Sequence, residues 1–114
     1  SMNIFEQKMI MELASLENVV FWHRNLNKGK GFYINGFSTN RYPDFVIYTQ
    51  RGNIVLIETK GDDSVNDDSL MKNKLGKLWA EKSGSNFKYF MVFQTKEVED
   101  CYNANSIIEV LKRL

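Results

Sequence analysis

Apolar positions along this chain change their period several times, and each change marks an element. Phe5, Met9, Leu13 and Leu16 recur at helical spacing and make one apolar stripe. Asn3 followed by Glu6 has the form of a capping box that starts this helix. The pattern then turns to strand-like runs. Val19-Val20-Phe21-Trp22 and Gly31-Phe32-Tyr33-Ile34 read as short strands, with the polar stretch Asn25 to Lys30 between them as a loop. Two further strands, Asp44 to Thr49 and Asn53 to Lys60, are rich in β-branched and aromatic residues and are separated by Gln50-Arg51-Gly52. A three-residue hairpin loop with glycine in its last, left-handed position fits that spacing and pairs Thr49 with Asn53.

The second half alternates helix and strand. A helix is expected from Asp68 or Ser69 to Ser83, capped by one of those two residues and ended by Gly84. Met71, Leu75, Leu78 and Trp79 supply its buried stripe. Phe87 to Phe93 is an apolar strand, and Ser106 with Glu109 opens a last helix carrying Ile107, Val110, Leu111 and Leu114. The element order αβββ(β)αβα predicts a mixed α/β domain, with helices flanking a central sheet.

Composition narrows this picture without changing it. At 114 residues, 43% hydrophobic and 25% charged, residues 3–114 read as one soluble globular domain, with Ser1-Met2 as a remnant ahead of it. No apolar run approaches the roughly 18 residues of a membrane span, and no secretory signal pattern is visible. Cys101 is the single cysteine and has no cationic sequence neighbour, so it reads as a packing residue in a reducing cytoplasm. With a net charge of only +1, any field for a polyanion must be local. Lysines do cluster from Lys72 to Lys82, just after Asp62, Asp63, Asp67 and Asp68. That acidic stretch lacks the glycine and terminal glutamate of a calcium-binding EF-hand loop.

The candidate chemistry lies in the central hairpin. If Thr49 pairs with Asn53, Asp44 falls directly opposite Glu58, about 4.5–5.5 Å away between Cβ atoms. Glu58 and Lys60 alternate onto the same strand face. Two carboxylates and a lysine at one strand end suit a hard divalent ion and an activated water. The same residues could instead be ion pairs closing the sheet end, because charge there needs partners. His23, the lone histidine, reads as structural or surface.

Pro43-Asp44 with Glu58-Thr59-Lys60 resembles the PD-(D/E)XK signature of restriction-endonuclease-like nucleases. A longer string resembles the C-terminal nuclease domain of type III restriction enzyme Res subunits. It comprises Trp22-x-Arg24-Asn25, Tyr42-Pro43-Asp44-Phe45, Ile57-Glu58-Thr59-Lys60-Gly61, Asn66-Asp67-Asp68-Ser69-x-x-Lys72, Leu75-Gly76 and Trp79-Ala80. The resemblance runs from about Phe5 to Phe93 and implies that family's αβββαβ core.

It further implies that Asp44 and Glu58 ligate Mg²⁺ or Mn²⁺, that the Thr59 carbonyl completes the protein ligands, and that Lys60 orients or deprotonates the attacking water. Many relatives carry a metal-site glutamate on the first helix. Glu6 matches that position, its role as cap partner of Asn3 explains it equally well, and Glu12 is a lesser candidate. Lys72, Lys74 and Lys77, helped by Asn66 and Ser69, are candidate contacts to nucleic-acid phosphates or else a solvated helix face. The implied activity is hydrolysis of double-stranded DNA in restriction-modification. The chain would then be one domain of a longer subunit with a helicase-like ATPase and a modification methyltransferase partner, since no GxxxxGK[ST] phosphate loop occurs here. Cutting both strands needs two sites, so a dimer or partner complex is expected. The alternatives are a stand-alone nuclease of this fold in DNA repair or on branched or RNA substrates, and a non-catalytic nucleic-acid or protein docking module.

Overall fold

The run Ile54-Val55-Leu56-Ile57 is apolar on both sides of its backbone, and a strand of that kind must be covered on both faces. It forms most of β3 (Ile54–Lys60), the middle strand of the sheet. The computed structural model describes residues 3–25 and 43–114. The expected strand at Gly31–Ile34, the loop residues 26–30, Ser1-Met2 and Tyr42 lie outside the described residues.

Among the described residues, one five-stranded mixed sheet runs in the order β1-β2-β3-β4-β5. β1 (Val19–Arg24), β2 (Phe45–Thr49) and β3 are antiparallel neighbours, whereas β4 (Phe87–Phe93) and β5 (Tyr102–Asn103) join in parallel. The helices are α1 (Ile4–Ala14), α2 (Asp67–Ser83) and α3 (Ala104–Lys112). A 3-10 turn, Asp62–Ser64, follows β3. The fold is therefore α/β with helices on both faces of the sheet.

Strand alternation sorts the core into two layers. Phe45, Ile47, Val55, Ile57, Phe90 and Val92 meet α1 and α3 through Met9, Ile10, Leu13, Ile107 and Leu111. Val46, Leu56, Tyr89, Met91 and Phe93 meet α2 at Ala80, with Trp79 packed against them. The central hairpin turns as expected: Gly52 has φ +87°, and the Thr49 amide donates to the Asn53 carbonyl at 3.0 Å. The register that follows runs through Tyr48–Ile54 to Phe45–Ile57.

Three expectations are corrected. The cap of α2 is Asn66, whose side chain accepts the Ser69 amide at 2.9 Å; Asp68 and Ser69 lie inside the helix. Likewise Asn103 caps α3, and Ser106 is the reciprocal partner of the capping box and not its start. The buried stripe of α2 is Ser69, Asn73, Gly76 and Ala80, while Met71 and Leu78 are exposed. The reason is the closeness of helix and sheet: at Gly76 even a Cβ would sit 2.4 Å from the Tyr89 ring. Small residues face the sheet because nothing larger fits there.

Candidate functional site

Beyond Ile57 the alternation of β3 continues with polar residues. Glu58 and Lys60 follow Leu56 onto the α2 face, and Thr59 follows Val55 and Ile57 onto the face of α1 and α3. The strand end thus carries two small polar clusters, one on each side of the sheet.

Thr59 is the hub of the first. Its amide donates to Asp44 Oδ2 at 2.7 Å, and its hydroxyl lies 2.9 Å from that same oxygen and 2.7 Å from Glu6 Oε2. One hydroxyl hydrogen therefore serves two carboxylates. Glu6 reaches the cluster from the first turn of α1, where its other oxygen, Oε1, accepts the Asn3 amide at 3.1 Å. The cap and the site contact, weighed as alternatives from sequence, are made by the same side chain at once. Burial raises the pKa of Asp44 above the ordinary carboxylate value; the Thr59 bonds oppose the rise, and the nearby charges of Glu58 and Glu6 add to it.

Asp44 does not join the ladder as Glu58's cross-strand partner. The paired register stops at Phe45–Ile57, one pair short of that position. The Asp44 amide donates to the Ile57 carbonyl at 2.8 Å, and its carboxylate takes the Thr59 amide that a regular ladder would give to backbone. Asp44 caps the end of β3 through Thr59.

The second cluster is built on Glu58. The Tyr89 hydroxyl donates to Glu58 Oε1 at 2.6 Å, and Lys60 Nζ stands 3.6 Å from Oε2. The side chains of Glu58 and Lys60 are mostly buried, at 13% and 22% exposure, so this pair is shielded more than a surface pair would be.

The residues expected on nucleic acid belong to α2 and its cap. Lys74 is exposed, and Lys72 pairs with Asp68 at 3.2 Å. Lys77 stands over the rings of Phe90 and Tyr102, at 5.5 and 5.6 Å. Ser69 is only 3% exposed and Asn66 is engaged as the helix cap, so α2 folding uses both. Cys101 is half-buried, and burial pushes its thiol pKa up, in keeping with a packing role. His23 stacks loosely with Phe21 and Tyr48 on the sheet. Asp62 binds the loop after β4, accepting the Thr95 amide and hydroxyl and the Lys96 amide. Those bonds, the Thr95 hydroxyl first, hold its carboxyl below the ordinary range.

Sequence reasoning missed the Thr59 hydroxyl and Tyr89. Alternation along β3 carried a signal for Thr59, because it turns that side chain toward α1. Nothing local marks Tyr89, which reads as one more apolar residue of β4.

Among the described residues, no three Asp, Glu, His or Cys side chains form a group that could hold a metal as they stand. The donor chemistry nonetheless fits a hard divalent cation. Asp44, Glu58 and Glu6 offer carboxylate oxygens, and Asp44 and Glu6 together meet a hydroxyl with one hydrogen to share. Among the described residues, no helix is long and apolar enough to cross a membrane. No protein-family model, curated protein or solved structure matches the chain.

Proposed function

We propose that this chain is a metal-dependent endonuclease domain of the restriction-endonuclease-like type. It would hydrolyse phosphodiester bonds of double-stranded DNA and most resembles the nuclease of type III restriction Res subunits. The observation that carries this is the meeting of Glu6, Asp44, Glu58 and Lys60 about the end of one buried strand, with Thr59 between them. Charged groups half-buried at a strand end demand either mutual pairing or a ligand. Among the described residues, Glu6 and Asp44 accept only from the Asn3 amide and from the amide and hydroxyl of Thr59.

Asp44 and Glu58 would hold Mg²⁺ or Mn²⁺, with the Thr59 carbonyl and Glu6 Oε2 as the further protein oxygens. When bound, the ion supplies Lewis-acid activation of the phosphodiester and acidifies a coordinated water. The rest falls to the chain's own groups. Thr59, through amide and hydroxyl, fixes the direction of the Asp44 carboxylate. Lys60, kept near the site by Glu58, sets its ammonium against phosphate charge and orients the attacking water or takes its proton. Lys72 and Lys74 add sequence-independent attraction to the DNA backbone. ATP hydrolysis and sequence choice would belong to partner regions, including a modification methyltransferase.

Plasmid cleavage in Mg²⁺ or Mn²⁺ tests this on the wild type, Asp44→Ala and Lys60→Ala. Wild type should nick or linearise the plasmid, and each variant should lose about 10²–10³-fold in rate. Equal cutting by all three proteins would sink the mechanism. A second reading, a non-catalytic docking module of this fold, is favoured by the lack of a ready-made three-ligand group among the described residues. Absence of cutting by any of the three, with no heat of metal binding in calorimetry, would select it.

A further inference from the structure

Tyr89 is 2% exposed and stands on β4 beside Leu56, on the α2 face of the sheet. Its neighbours in that layer, Val46, Leu56, Met91 and Phe93, are apolar, and a phenylalanine would fill the same space. What tyrosine adds is a hydroxyl, and a buried hydroxyl is costly unless it is bonded. Here it reaches along the sheet to donate to Glu58 Oε1 at 2.6 Å, the short distance of a bond to a carboxylate. The ring is fixed from the other side by α2, where Gly76 leaves the needed room: a Cβ there would approach three ring carbons to 2.4–2.6 Å.

Resting on the metal-dependent reading above, we infer that Tyr89 is a positioning residue for Glu58 and that Gly76 seats it. The phenol holds one carboxylate oxygen, which turns the other, Oε2, toward Lys60 and the ion. Groups that orient a metal-ligating carboxylate from behind typically change metal affinity or activity by about 10–100-fold when removed. The seating of α2 on the sheet is thereby linked to the geometry of the metal site through one side chain.

Mn²⁺ titration calorimetry, paired with thermal melting, tests this on wild type, Tyr89→Phe and Gly76→Ala. Tyr89→Phe keeps the ring against α2 and removes only the donor. It should melt below the wild type by no more than the loss of one donor explains, yet bind Mn²⁺ about 10–100-fold more weakly. Gly76→Ala displaces the ring and should weaken Mn²⁺ binding while also lowering the melting temperature. A purely structural role for Tyr89 predicts unchanged Mn²⁺ affinity in Tyr89→Phe, and that result overturns the inference alone. A wild type that takes up no Mn²⁺ overturns the metal reading and this inference with it.

Discussion

The two faces of the sheet at the end of β3 carry the same kinds of group in opposite states. On the α2 side Glu58 is answered by a phenol and an ammonium, at 2.6 and 3.6 Å. On the α1 side Asp44 and Glu6 converge on Thr59, which offers one hydroxyl and one amide. In the first cluster an acid meets a base. Among the described residues no ion pair reaches Asp44 or Glu6 in the second, and burial together with the charges of Glu58 and Glu6 raises the Asp44 pKa. Burial and the neighbouring carboxylates favour Asp44 with its charge neutralised. In the proposed nuclease, Asp44 from one side and Glu58 from the other would hold the ion between them, with Lys60 beside it.

The largest effect that could break this contrast is catalytic. Loss of about 10²–10³-fold in cleavage is expected for both Asp44→Ala and Lys60→Ala, one from each face. If only one of them matters, the two clusters do not form one site.

A smaller effect concerns the hub. Thr59→Val keeps the shape of the side chain but removes the hydroxyl that both carboxylates share. Urea unfolding without metal should show a loss of about 1–3 kcal/mol, the cost of leaving buried acceptors unmet. Unchanged stability would mean that Glu6 and Asp44 do not depend on Thr59, and the second cluster would dissolve into separate contacts.

Smallest, and opposite in sign, is Asp44→Asn. Because the folded-state pKa of Asp44 is raised, the folded protein holds its proton more tightly than the unfolded chain does. The stability tied to that proton is present below the ordinary carboxylate pKa and is lost as pH rises through the folded value. Asparagine cannot ionise but still accepts from the Thr59 amide. The metal-free variant should therefore be at least as stable as wild type at neutral pH, by up to about 1 kcal/mol, with a flatter dependence above the ordinary carboxylate range. A variant less stable than wild type at neutral pH would show that the Asp44 charge is already compensated within the fold.

Much of the scaffold was legible because its signals are local. Alternation in β2, β3 and β4 reports which face each side chain takes, and Gln50-Arg51-Gly52 carries the glycine that the turn needs at φ +87°. The capping box of Asn3 and Glu6 was equally plain. The buried face of α2 was not, since Met71 and Leu78 look like core in a periodic pattern yet lie outside. That face is decided by the distance between helix and sheet, which Gly76 and Tyr89 set together from positions far apart in the chain.

The sequence by itself determined a layered α/β scaffold and the local order Asp44, Glu58, Thr59, Lys60, because hydrophobic period, turn chemistry and caps act over a few residues. Only the tertiary structure decided how those groups divide. The strand pleat sends Thr59 to α1 and Glu58 to α2, the ladder ends at Phe45–Ile57 so that Thr59 holds Asp44, and Glu6 and Tyr89 arrive from other elements to complete the two sides. Electrostatic balance depends on distances between such remote groups, and no local pattern encodes them.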